Sequence, residues 1–314
     1  PGLVDIHSHG AFGHDFCDAD REGLKVILKY EKEHGITSYC PTSMTLSKEQ
    51  LLDIFSSVKD METSSDMARI AGINMEGPFV DVKKKGAQAA EHICPPDPEF
   101  FRLCNERCGN IIKLVTLSPK EDGALDFIRE LKDEVTISIG HTTADYDCTK
   151  AAMEAGAAHV THLFNAMPPF AHRDPGVIGA ALDTENCMAE LICDGYHIHP
   201  SMIRAAFKMF GEERICLISD SMMATGMPDG QYELGGQAVY MKDRFASLAD
   251  GTLAGSATNL FDCMKKAMEF GIPESAAIFA ATRNPAKSIG IYDKTGSITP
   301  GKYGDLLIVD DQYN

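Results

Sequence analysis

A chain of 314 residues, 44% hydrophobic and 24% charged, has the size and balance of one large globular domain and exceeds a minimal one. Its formal net charge of −17 argues against nucleic acid and anionic membrane as partners, although a local pocket of arginine, histidine and backbone N–H groups can still hold one phosphate. No apolar run is long enough to cross a bilayer and no charged-then-apolar leader opens the sequence, so the expected location is cytoplasmic.

Short apolar runs with strand character recur at residues 3–6, 38–41, 70–75, 111–117, 135–139, 159–161, 189–193 and 215–219. Stretches of helical periodicity lie between most of them. Leu24, Ile27 and Leu28 form one apolar stripe, and Cys148, Ala151, Ala152 and Ala155 form another. Gly35, Gly156 and Gly211 stand where such helices stop before the next strand, because glycine reaches the left-handed conformation that closes a helix. Strand, loop, helix, glycine, strand is the order of a parallel sheet with crossover helices. Eight such units, with no GxGxxG after the first strand, predict an α/β fold: a closed (β/α)8 TIM-type barrel rather than an open dinucleotide-binding sheet.

The barrel is expected over 1–290. Within it, residues 229–255 read as a hairpin-rich insertion, with turn signals at Asp229-Gly230, Gly235-Gly236 and Asp250-Gly251. Residues 297–310 read as a turn and a strand. Residues 291–314 are therefore expected to be the C-terminal strand segment of a small β-sandwich domain whose N-terminal half is absent from the sequence. The ten cysteines include no CxxC pair, which excludes a zinc ribbon or redox motif. Cys104 and Cys108 are one helical turn apart, but reduced thiols in a cytosolic protein account for them more simply.

Barrel enzymes build their sites where the strands end, and here those ends carry ligand-type side chains. The first strand runs into His7-Ser8-His9, the third into Glu76, the fifth into His141, the sixth into His162 and the eighth into Asp220. Neutral imidazole and carboxylate suit Zn²⁺ or Fe²⁺, and three protein ligands leave a position for water. Alternate residues of a strand share a face, so His7 and His9 can point at one ion, and Glu76 has two oxygens with which to bridge two. Any one of these residues alone reads as structural, and Asp220 alone as a helix N-cap. Their joint occurrence at five strand ends points to a metal site. His14, His34, His92, His159, His172 and His199 are left as structural or exposed.

These stretches resemble the amidohydrolase superfamily and, within it, the N-acetylglucosamine-6-phosphate deacetylases. The resemblance rests on GLVDIHSHG (2–10), NMEGPF (74–79), KKKGAQ (83–88), GHTTADYD (140–147), VTHLFNAMPPFAHRDPGVIGAAL (160–182), DGYHIHP (194–200), LISDSMMATG (217–226) and GTLAGS (251–256), in family order over nearly the whole chain. It implies hydrolysis of the acetamide of an amino-sugar phosphate by a cytoplasmic homodimer. Glu76, His141 and His162 would bind the principal metal, and Asp220 would be the catalytic aspartate. His197 would stand at the substrate. Asn165, Ala166 and Arg173 would meet the sugar phosphate, with Arg173 reaching in from the neighbouring subunit. Ala87, Gln88, Leu253, Ala254 and Gly255 would line the sugar. Some members keep one ion and lack a complete HxH. Both His7 and His9 are present here, so one or two divalent ions are expected, zinc first and iron next. N-acetylgalactosamine 6-phosphate is the alternative substrate. A cyclic amidase would call for a carboxylated lysine at a strand end, where none stands. A non-catalytic scaffold would be expected to lose ligands, and every position is filled.

Overall fold

The computed structural model describes residues 1–313. Eight parallel strands follow the chain around the sheet in sequence order: β1 (Leu3–Ser8), β2 (Ile36–Ser43), β3 (Ile73–Glu76), β4 (Ile112–Leu117), β5 (Thr136–Ile139), β6 (His159–Val160), β7 (Met188–Ile192) and β8 (Ile215–Ile218). Just past its end, β8 meets β1 again. Asp220 N–H donates to His7 O at 2.9 Å, and His9 N–H donates to Ser221 O at 2.8 Å. One helix follows each strand: α1 (Arg21–Glu33), α2 (Lys48–Ser57), α3 (Pro98–Arg107), α4 (Ala124–Leu131), α5 (Tyr146–Ala155), α6 (Gly176–Leu182), α7 (Pro200–Phe210) and α8 (Leu260–Glu269), with α9 (Glu274–Ala281) and α10 (Arg283–Ser288) after them. The expected barrel is the observed one.

Local chemistry explains the boundaries. Asp20 caps α1 by accepting from Glu22 N and Gly23 N, and Ser47 and Gln50 form a reciprocal box on α2. Gly156 and Gly211 are the C-caps of α5 and α7. The α1 stripe of Leu24, Ile27 and Leu28 is buried as the periodicity predicts. On α5 the buried face is Thr149, Ala152, Met153 and Ala155, so the expected stripe is rotated there. Inside the barrel, Val4, Ile6, Cys40, Ile192, Cys216 and Ile218 pack together with Ala286 of α10 and Ile289 just past its end. This apolar plug precedes the site residues along β1 and β8, leaving the strands' C-terminal ends as the polar mouth.

The insertion is a three-stranded antiparallel sheet, β9 (Gly230–Leu234), β10 (Gln237–Lys242) and β11 (Phe245–Ser247). Gly235 and Gly236, both at positive φ, make its first turn as expected. Asp243 and Arg244 make the second, a left-handed pair without glycine. Residues 303–310 depart from expectation: no strand forms there. Gly2 N–H donates to Asp305 O at 2.8 Å and Arg69 pairs with Asp305 at 3.0 Å, but no ladder partner lies alongside among the described residues. A lone extended segment has no cross-strand hydrogen bonds to hold it, and Leu306 and Ile308 face solvent.

Candidate metal centre

Six side chains converge at the mouth, all of them buried. Glu76 closes β3. His141 and His162 follow β5 and β6, and Asp220 follows β8, each on a left-handed backbone with φ of 45°, 27° and 49°. Non-glycine residues rarely adopt such angles, and tight packing is needed to hold three of them. The sharp turns swing the side chains back over the barrel. His141 Nε2 lies 3.0 Å from Glu76 Oε1, His162 Nε2 lies 3.1 Å from the same oxygen, and the two nitrogens are 3.0 Å apart. From β1, His9 Nε2 is 3.5 Å from Glu76 Oε2 and 3.2 Å from Asp220 Oδ1. His7 Nε2 is 3.5 Å from Glu76 Oε1 and 3.6 Å from Asp220 Oδ1.

The other ring nitrogens reveal what these contacts require. His141 Nδ1 donates to the Lys84 carbonyl at 2.8 Å, His9 Nδ1 to the Thr42 carbonyl at 3.1 Å, and His7 Nδ1 to Glu190 Oε2 at 2.9 Å. Those oxygens only accept, so each Nδ1 carries a proton, and each ring, when neutral, turns an Nε2 lone pair toward a carboxylate. Lone pair against lone pair is repulsive without a positive charge between them. Two overlapping groups meet the geometry for a cation, His7–His9–Glu76 and Glu76–His141–His162, with ligand atoms within 4.8 Å of one another in each. The donor set fits a divalent metal, with Glu76 shared.

The electrostatics agree. Burial works to raise the Glu76 pKa, but His7 and His141 outweigh it and hold the carboxyl well below the usual range. Asp220 is lowered likewise against burial, through His9 and His7. Burial opposes charge on His7, yet Glu190, Glu76 and Asp220 lift its pKa to about 10. His9 is raised against burial by Asp220 and Glu76. The mouth selects a positive charge at these nitrogens, proton or metal.

A cavity of about 510 Å³ opens above, lined by His9, Glu76, His141, His162 and Asp220 together with Ala87, Gln88, Asn165, Ala166, His197, Leu253 and Gly255. His197 is aimed by Asp194, whose Oδ2 accepts from Nδ1 at 2.7 Å. Burial opposes its protonation, but Asp194 outweighs burial and raises the His197 pKa. Ala254 is buried behind the wall, its N–H donating to Ala246 O at 3.2 Å. Gln88 lines the cavity, but its amide is engaged elsewhere: it donates to Glu76 Oε2 at 2.7 Å and accepts from Thr45 N at 2.6 Å. Arg173 is exposed, outside this cavity, and donates to His172 Nε2 at 2.6 Å. Sequence reasoning missed Glu190 and Asp194. The first is the one acid in the apolar run MAELI, and the second follows β7 directly. It gave the insertion a role only through Leu253, Ala254 and Gly255, whereas Leu234 and Gln237 also line the cavity and the Gln237 amide donates to Ala87 O.

The Amidohydrolase family model matches residues 1–314. This chain belongs to the amidohydrolase family. It is 43% identical over 315 residues to the N-acetylglucosamine-6-phosphate deacetylase of Bacillus subtilis (strain 168), covering 98% of this chain and 80% of that one. It is 37% identical to the Vibrio furnissii deacetylase of the same name, covering 100% and 79%. The N-acetylgalactosamine-6-phosphate deacetylase of Escherichia coli O157:H7 is 32% identical, with 99% and 83% covered. Among solved structures, a mutant Mycobacterium smegmatis deacetylase in complex with N-acetyl-D-glucosamine-6-phosphate superposes with a TM-score of 0.94 at 33% identity, covering 100% of this chain and 83% of that one.

Proposed function

We propose that this amidohydrolase removes the acetyl group of N-acetyl-D-glucosamine 6-phosphate, giving D-glucosamine 6-phosphate and acetate, with one or two divalent ions, zinc first. The observation that carries the reading is the set of Nε2 atoms converging on Glu76 and Asp220 at 3.0–3.6 Å, a constellation that favours positive charge at those nitrogens and whose donor set suits a divalent ion. Relatives 43% and 37% identical to it bear the name of that activity.

Glu76, His141 and His162 would hold a divalent ion, with His7 and His9 available for a second, and the chemistry supplied there would be Lewis acidity and a lowered pKa for water. The remaining work falls to the chain. Asp220, ionised at neutral pH, takes the proton of the attacking water and returns it to the leaving amine, which cannot depart as an anion. His197, whose protonated form Asp194 favours, hydrogen-bonds through Nε2 the oxygen of the acetyl group as negative charge develops there. Asn165 and Ala166 hold the distant phosphate and so orient the acetamide.

Arg173 completes the phosphate site from a second copy of the chain, since its planar, always-charged fork suits phosphate and it does not line its own cavity. We place the enzyme in the cytoplasm, where its ten free cysteines stay reduced; among the described residues no helix is long and apolar enough to cross a membrane. Residues 1–290 act as the catalytic unit, and 291–314 as an appended segment.

The test is elemental analysis of the purified chain beside acetate release from both N-acetylhexosamine 6-phosphates. Bound metal with preference for the gluco substrate is expected. Preference for the galacto substrate moves the assignment to the activity named for the Escherichia coli relative, and metal without acetate release from either overturns it. For the dimer, mixing Arg173→Ala with Asp220→Asn protein restores activity if Arg173 acts across subunits. No recovery after mixed refolding counts against it.

A further inference from the structure

Glu190 lies in the middle of β7, fully buried, and no part of the mechanism above uses it. Its Oε2 accepts from His7 Nδ1 at 2.9 Å and from the His162 backbone N–H at 3.0 Å. One oxygen thus joins the two ligand groups. Its Oε1 has no hydrogen-bond partner among the described residues. His159 Nδ1 stands 3.9 Å from Oε1 but bonds Ser138 Oγ at 3.1 Å, and burial lowers the pKa of that ring and keeps it neutral. A carboxylate sealed in this way is strongly destabilising unless positive charge lies close by. Both of its hydrogen bonds lead to the cation site, one through the His7 ring and one through the backbone of His162.

We propose that Glu190 is a positioning residue for the metal centre: it fixes the His7 ring with Nε2 turned to the ion, makes that nitrogen a better donor, and sets the spacing of His7 from His162. The physical basis is the carboxylate–histidine–metal relay, in which an outer carboxylate fixes the tautomer and raises ligand basicity. Glu190 does not line the cavity, so it acts through the His7 ring and the His162 backbone. The inference rests on the metal-dependent reading above.

The experiment measures Zn²⁺ affinity of the full chain by chelator competition, with the visible spectrum of the Co²⁺-loaded protein as an independent probe. Glu190→Gln keeps the volume and an accepting oxygen but removes the charge. Glu190→Ala removes both. Zinc affinity should fall by about 10-fold in the first and up to about 100-fold in the second, with altered cobalt spectra in both. In the zinc-loaded protein the His7 Nδ1–H proton resonance should survive in Glu190→Gln and vanish in Glu190→Ala. Folded variants with wild-type affinity and an unchanged cobalt spectrum overturn the proposal, even if they melt earlier. Should Glu190→Ala fail to fold, Glu190→Gln decides by the same readouts. Wild-type protein that binds zinc no better than Glu76→Ala overturns the metal reading itself, a result distinct from intact binding in both Glu190 variants.

Discussion

The two halves of the metal centre are built differently. Glu76, His141 and His162 form a tight group, with contacts of 3.0–3.1 Å made by histidines on left-handed turns. His7 and His9 come from β1 and stand further off, at 3.2–3.6 Å, facing Asp220 as well as Glu76. A close, strained group is pre-organised to hold an ion. The looser group is shared between holding charge and facing Asp220, the proposed proton carrier. Glu76 joins them, Oε1 toward the tight pair and His7 and Oε2 toward His9.

The largest effect should come from breaking both halves at once. Glu76→Ala is expected to reduce metal content and acetate release to background, as measured by elemental analysis and a discontinuous acetate assay. Substantial bound zinc in that variant would mean the halves hold ions independently of their shared ligand. Asp220→Asn strikes only the looser half. It should retain the metal of the tight group and lower kcat by about 10²–10⁴-fold, the usual scale of general acid–base work. Near-normal turnover would remove Asp220 from proton transfer.

That contrast was partly legible in the residues. His7, His9, Glu76, His141, His162 and Asp220 stand at strand ends, and a barrel forces strand ends together, so their convergence followed from the pattern. The roles of Glu190 and Asp194 did not, because a single acid in or beside an apolar strand has no periodicity to betray its partner. Gln88 was expected along the sugar, whereas its amide contact with Glu76 is fixed by a loop that residue order does not specify. The Asp243-Arg244 turn was unreadable for a similar reason: residues with side chains occupy left-handed angles where glycine is the usual signal. The segment 303–310 alternates like a strand, but alternation states only what a strand would bury, not whether a neighbour exists.

The effect of pH should sharpen the comparison at intermediate size. His7 and His9 have raised pKa values, His7 up to about 10, so in the neutral range a proton competes with metal for both rings. Metal affinity should therefore fall as pH drops, by up to about tenfold per unit for each proton displaced. Zinc competition at two pH values, with proton release followed on metal addition, measures this. Asp220→Asn should flatten the dependence, since Asp220 helps to raise His9. A profile unaffected by that change would assign the competing protons elsewhere. On the alkaline side, His197 should lose its donor proton above its raised pKa, and kcat/KM should decline there.

The smallest effect tests whether the looser half can be moved by itself. Gly255 has φ of 60°, and a Cβ there would stand 3.1 Å from Asp220 O and 3.3 Å from Met222 Cβ. Gly255→Ala meets both a left-handed backbone, costing about 1–2 kcal/mol, and a crowded carbonyl. The adjacent Ser256 N–H donates to that same carbonyl at 2.6 Å, so the turn bearing Asp220 must absorb part of the shift. Thermal denaturation should register the cost, and kcat should fall modestly as Asp220 is displaced, while zinc content is unchanged. Because Gly255 contacts Asp220 through backbone only, loss of zinc in this variant would mean that the turn after β8 and the tight group move as one body.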